Sequence, residues 1–139
     1  KENKFYSKQK DLHKQLSSFY TKLQKAYVER NLNSVRDYID PAFFQELEEQ
    51  LSSDTQSVSL DVCELKVKDI KYYPNNEDGS YFFSVFFTGV QIETNKTNTG
   101  ETTTDSVIID DVYNFKSVQT NSSLNEIAFI LVGIERAIN

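Results

Sequence analysis

Few residues in this chain are of types that do chemistry. His13 is the single histidine and Cys63 the single cysteine. A histidine titrates near neutral pH and can act as a base, but His13 lies within a helical pattern where a solvated position accounts for it. One His and one Cys fall short of the nitrogen and sulfur set of a zinc site, so neither a metal nor a cofactor is expected. Cys63 has no His near it in sequence to activate its thiol and reads as a small buried or edge residue. Asp110 and Asp111 are adjacent carboxylates, but neighbours on a strand point to opposite faces. They read as one solvated acid beside one acid at the core edge, not as a metal pair. The chain has no glycine-rich phosphate loop and no nucleophile elbow. Asn95-Lys96-Thr97 and Asn121-Ser122-Ser123 fit the glycosylation sequon, which matters only in a secreted eukaryotic protein.

The basic start carries more information. Lys1, Lys4, Lys8, Lys10 and Lys14 against Glu2 and Asp11 give residues 1–15 a net charge of +3, leaving −9 for the remainder of a chain whose total is −6. An acidic body speaks against binding to a phosphate backbone, which relies on an excess of Lys and Arg, so no nucleic-acid partner is expected. The lysines suit an anionic membrane surface, at about 1 kcal/mol for each charge near it. They equally suit the solvated face of a helix. They do not serve the helix dipole, which disfavours cations in a first turn.

Those residues need elements to hold them. The stretch Tyr81 to Thr94, YFFSVFFTGVQIET, puts Tyr81, Phe83, Val85 and Phe87 on one face and Phe82, Phe86, Val90 and Ile92 on the other. A strand apolar on both faces belongs in the middle of a sheet covered on both sides. Upstream, Leu12, Leu16, Phe19, Leu23 and Tyr27 recur at spacings of three and four, which predicts a helix from Ser7, as N-cap, to Arg30. Asn31-Leu32-Asn33 should stop it. Ser34 should cap a short second helix, Val35 to Ile39. Asp40-Pro41 opens a third, with Asp at the cap and Pro at the first position. It buries Phe43 or Phe44, Leu47 and Leu51 and ends near Asp54.

From Val58 the period becomes two. Val58, Leu60 and Val62 share a face, then the apolar set slips to Leu65 and Val67, and again to Ile70 and Tyr72. Each slip flips the side chains, so a continuous strand requires bulges near Cys63-Glu64 and near Asp69. Pro74 to Gly79 reads as a turn, Asn95 to Asp105 as a polar hairpin loop with Gly100 left-handed, Val107 to Val118 as the third strand and Asn121 to Asn125 as another turn. Glu126 to Ile138 is the fourth strand. The expected fold class is α+β: three N-terminal helices packed in a strongly curved, cone-like four-stranded antiparallel meander, one domain over 139 residues.

The chain contains no Met, which reads as an excised piece of a longer protein, and no run near the ~18 apolar residues of a spanning helix. Any membrane anchor is expected outside it. A single Cys excludes an intrachain disulfide.

The run Phe19 to Leu51 resembles the domain of the mitochondrial inner-membrane translocase subunit 44 and its bacterial relatives. The similarity rests on Gln24, Ala26 and Tyr27, then Arg30-Asn31-Leu32, then Glu49-Gln50-Leu51, with Asp111-Val112-Tyr113-Asn114-Phe115-Lys116 similar to a later strand motif. Tyr27 and Tyr113 stand where the family commonly has Trp. The resemblance implies a nuclear transport factor 2-like cone, a tether to a membrane and a hold on a protein partner. The same fold hosts isomerases and dehydratases that set a carboxylate base against a Tyr donor inside the cone. Here Tyr20, Tyr27 and Asp37 are the pocket candidates. Asp40 is accounted for by its helix cap.

The sequence therefore points to a non-catalytic binding or scaffold module beside a membrane. Its interface candidates are Phe82, Phe86, Ile130 and Val132, engaging a protein partner or forming a homodimer. Lys4, Lys8, Lys10 and Lys14 are the lipid-proximal candidates. The alternative is a small-ligand carrier or an isomerase- or dehydratase-like enzyme using the interior.

Overall fold

The computed structural model describes residues 2–54, 57–73, 81–118 and 128–136. Helix α1 (Glu2–Val28) is followed by a 3₁₀ helix (Leu32–Tyr38) and α2 (Pro41–Ser53). Strands β1 (Ser57–Tyr73), β2 (Phe82–Lys96), β3 (Thr102–Val118) and β4 (Ala128–Arg136) come after them. The strands pair in chain order, every neighbour antiparallel. The α+β class and the four-stranded meander are as expected.

Helix α1 begins at Glu2, so Ser7 lies within it and not at its cap. Ser7 is followed three residues later by Lys10, so the reciprocal Glu or Gln of a capping box is missing. The buried stripe of α1 is Leu12, Leu16, Phe19, Tyr20, Leu23, Gln24 and Ala26, wider than the expected one; Tyr27 is half-buried. At its C-terminus Asn31 N–H donates to Ala26 C=O at 2.8 Å and Arg30 N–H to Tyr27 C=O at 3.1 Å. That is the Schellman arrangement, and it places Arg30 at φ +58°, where Gly is usual.

The second helix starts earlier than Val35, and Ser34 does not cap it. The Ser34 hydroxyl donates backward to Asn31 C=O at 2.9 Å, leaving Leu32 and Val35 to anchor the turn as buried residues. The third helix starts as expected. Asp40 Oδ2 accepts from Ala42 and Phe43 N–H, with Pro41 behind it. Phe44 and Leu47 are buried. Asp40 N–H donates to Leu131 C=O at 2.8 Å, and Ile39 pairs with Leu131 as a short parallel bridge. This segment covers part of the outer edge of β4.

Both bulges read from the slipped pattern are present. The β1–β2 register shifts between Cys63 and Lys66 and between Val67 and Asp69, with a further shift between Ser57 and Ser59. Glu64 takes φ +53° at the first of these. Opposite it lies Gly89, where an added Cβ would come within 3.1 Å of Cys63 O, Glu64 O and Leu65 Cα. Glycine is there because the bulged backbone approaches closely.

The β2–β3 hairpin is tighter than the expected Asn95–Asp105 loop. Both strands continue to Lys96 and from Thr102, and Thr97–Glu101 closes the turn with Gly100 at φ +87°. Three successive threonines, β-branched, favour the strand over the loop. The expected turns at Pro74–Gly79 and Asn121–Asn125 lie outside the described residues.

The inner face of the sheet packs on α1. Phe83, Val85, Phe87, Tyr113, Phe115 and Leu131 are at most 1% exposed, each contributing roughly 1.5–3 kcal/mol by burial. Phe83 stacks on Phe115 with ring centroids 5.3 Å apart, and Phe19 of α1 meets the Phe115 edge at 5.9 Å.

Candidate functional site

The polar centre of the interior is built by α1, β3 and β4. Tyr20 lies on the buried stripe of α1, and its hydroxyl donates to Asp111 Oδ2 at 2.7 Å. Gln24, one turn later, donates Nε2–H to the Tyr113 hydroxyl at 2.9 Å. Asp111 and Tyr113 project inward from β3 because they are two residues apart. Asp110, between Asp111 and Ile109, is exposed, as alternation requires. On β4, Arg136 is the cross-strand partner of Asp111 and holds Nε 3.9 Å from Oδ2.

Burial pushes the Tyr20 hydroxyl well above the usual phenol range, and the Tyr113 phenol and the Asp111 carboxylate push it further. Burial also raises Tyr113, while the Arg136 charge pulls against it. Both rings are therefore held neutral, Tyr20 as the donor to Asp111 and Tyr113 as the acceptor from Gln24. The Tyr20 and Tyr113 rings lie 5.0 Å apart, and Phe87 packs on Tyr20 at 4.8 Å. No buried side-chain nitrogen or oxygen among the described residues lacks a partner.

Of the pocket candidates, Tyr20 is in this cluster. Tyr27 is at the far end of α1, half-buried, its hydroxyl raised by burial and then by Asp54. Asp37 is exposed on the 3₁₀ helix; among the described residues the carboxylates met by these tyrosines are Asp111 and Asp54. Sequence reasoning placed one of Asp110 and Asp111 at the core edge without choosing between them, and did not pair either with Tyr20. The signal available was parity: on β3 Asp111 shares the apolar face of Ile109, Tyr113 and Phe115.

An open depression of ≈ 500 Å³ lies elsewhere, between the end of α1, the 3₁₀ helix and α2. Arg30, Glu48, Leu51 and Asp54 line it, and none of the Tyr20 cluster does. His13 and Cys63 are both exposed. Among the described residues no group of His, Cys, Asp and Glu could hold a metal ion.

The second candidate surface is the face of the sheet turned away from α1. Tyr73, Phe82, Lys116 and Ile130 form one cross-strand row, and Asp69, Phe86, Val112 and Glu135 another. Phe82 is 40% exposed; Phe86, Ile130 and Val132 are half-buried. Lys71 Nζ sits 5.4 Å from the Phe86 ring centroid and Lys116 Nζ 6.0 Å from that of Phe82. Val132 leaves the alternation. The β3–β4 register steps from Phe115↔Leu131 to Asn114↔Gly133, so Val132 has no cross-strand partner. Gly133, a mid-strand glycine, was the signal for that bulge.

Lys14 is exposed on α1. Lys4, Lys8 and Lys10 lie in the first turns of α1, and their side chains lie outside the described residues. Among the described residues no helix is long and apolar enough to cross a membrane. No family model, curated protein or solved structure matches the chain.

Proposed function

We propose that this chain is a non-catalytic binding or scaffold module of a membrane-tethered protein, engaging a protein partner or a second copy through the sheet face that bears Phe82, Phe86, Ile130 and Val132. One contrast carries the reading. The inner face is filled by its own aromatic side chains, while on the other face Phe82 stays 40% exposed beside Tyr73 at 51%. The two lysines over Phe82 and Phe86 are flexible covers that a partner displaces at little cost.

Within this reading the fold is a nuclear transport factor 2-like cone, supported by the β1 bulges, which bend a strand around what it packs on. The translocase subunit 44-like motifs over Phe19–Leu51 support the tether. Lys4, Lys8, Lys10 and Lys14, clustered at the start of α1, are then the charges that meet anionic lipid.

The reading of the interior as an enzyme or carrier site has one observation on its side, the Tyr20–Asp111 pair. Against it, Asp111 is already engaged by Tyr20 and Arg136, and Phe87 packs on the Tyr20 ring.

The test compares sedimentation of the parent, Phe86→Asp and Tyr20→Phe, alone over a range of concentrations and as part of the full-length protein with its co-purifying partner. The expected result is an association lost in Phe86→Asp and kept in Tyr20→Phe, with the circular dichroism of both unchanged. Saturable binding of a small apolar probe, lost in Tyr20→Phe and kept in Phe86→Asp, would overturn the proposal in favour of the interior.

A further inference from the structure

The charges on the sheet face that bears Phe82 and Phe86 follow an order along the strands. Side chains on one face come in cross-strand rows, two residues or roughly 7 Å apart. The first row runs from Tyr73 through Phe82 to Lys116, and the second from Lys71 through Ser84 to Gly133. The third holds Asp69, Phe86 and Glu135, and the fourth Lys66, Thr88 and Asp110. The first two rows thus carry only cations and the third only acids, with one of each in the fourth. Asp69, Lys71, Asp110 and Glu135 are exposed. Among the described residues none of these charges is in an ion pair. Lys71 leans toward the acidic row, its Nζ 5.4 Å from the Phe86 ring centroid.

Two identical sheet faces stack about a two-fold axis lying in the contact plane, and two simple choices of axis exist. An axis along the strands swaps β1 with β4 and sets Asp69 on Glu135 of the second copy, acid on acid. An axis across the strands, between the second and third rows, swaps the second row with the third and the first with the fourth. Lys71 then meets Asp69 of the second copy, Lys116 meets Asp110, and Lys66 comes over the Tyr73 ring. Symmetry makes each contact twice. Glu135 comes over Gly133, where a Cβ would meet nothing nearer than 3.9 Å, so it has room. The angle of about 30° between stacked sheets displaces these pairs by less than a lysine side chain spans. We propose that the occupant of this face is a second copy of the chain, docked about the axis across the strands. Cationic rows before acidic ones are what self-complementarity about that axis demands, and an unrelated partner demands no such order. The inference rests on the sheet-face reading above and names its partner.

Sedimentation equilibrium of the full chain tests it. The parent is expected to dimerise and Phe86→Asp to be monomeric at the same concentrations. Lys116→Asp and Asp110→Lys, each alone, weaken the dimer about tenfold or more, because symmetry puts two like-charge contacts into each. Mixed in equal amounts, the two variants return to near the parent's dissociation constant. In the mixed dimer one contact is native and the other is reversed on both sides. Lys22→Asp, the same change of charge at an exposed position of α1, leaves the dimer unchanged, and all variants keep the parent's circular dichroism. A mixture as weak as the single variants overturns docking about this axis, while a loss in Phe86→Asp still leaves the sheet-face reading standing. A parent that stays monomeric at every concentration overturns the second copy; the sheet-face reading is then judged by whether Phe86→Asp in the full-length protein sheds its co-purifying partner. A dimer that survives Phe86→Asp overturns both.

Discussion

The Tyr20 hydroxyl donates to Asp111 Oδ2 at 2.7 Å, tying α1 to β3 across 91 residues of chain. Both residues are buried, Tyr20 at 1% and Asp111 at 8% exposure. Removing the donor leaves a carboxylate oxygen with only the longer Arg136 contact. Tyr20→Phe should therefore destabilise the fold by about 1–3 kcal/mol. Asp111→Asn, which keeps an acceptor, should cost less. Urea denaturation of the two variants and the double variant measures this; coupling indistinguishable from zero would show the bond to be energetically idle.

The raised hydroxyls of Tyr20 and Tyr113 make an alkaline prediction whose sign is fixed. Each phenol is neutral in the fold at pH values where the unfolded chain, with an ordinary phenol near pH 10, has lost its proton. Their contribution is whole below about pH 10 and is lost as pH rises toward the folded values. The slope is about 1.4 kcal/mol per pH unit for each such tyrosine. Tyr20→Phe should lower the parent's slope above pH 10 by that amount. Unfolding free energies from pH 8 to 11.5, with tyrosinate absorbance followed in parallel, test it; an unchanged slope would mean that Tyr20 titrates freely in the fold.

Gly89 meets the bulge of β1 backbone to backbone. A Cβ there would lie 3.1 Å from each of three backbone atoms, and backbone in a ladder gives way poorly. Gly89→Ala should cost about 1–3 kcal/mol, as overpacking does. Gly133→Ala is the control, since its Cβ would meet nothing nearer than Asn114 Nδ2 at 3.9 Å. Equal melting temperatures for the two variants would contradict the assignment.

What could be read in the sequence was local. The slips from Val62 to Leu65 and from Val67 to Ile70 located both β1 bulges, because parity is a property of neighbouring residues. Asp40-Pro41 marked the start of α2 for the same reason. The missed features depend on distant partners. Nothing near Ser34 announces that its hydroxyl turns back to Asn31, and nothing near Tyr20 names Asp111. The outer face was legible as apolar, but the lysines over Phe82 and Phe86 were not, since Lys116 and Lys71 reach them from neighbouring strands.

Arg30 holds two roles that oppose each other. Its backbone occupies the left-handed turn after α1 at φ +58°, a conformation that costs a non-glycine residue roughly 1–2 kcal/mol. Its side chain meanwhile donates Nη2–H to Asp54 C=O at 2.8 Å and Nη1–H to Val28 C=O at 3.0 Å, fastening the end of α2 to the end of α1. Two substitutions separate the roles. Arg30→Ala loses the side-chain bonds and keeps the strain; Arg30→Gly loses the same bonds and relieves the strain. Arg30→Gly should be the more stable of the two by about 1 kcal/mol. Both should speed amide exchange at the C-terminus of α2, where the Asp54 carbonyl loses its donor. If Arg30→Ala equals Arg30→Gly in stability, the turn is not strained. If exchange in α2 is unchanged in both, the arginine does not fasten it.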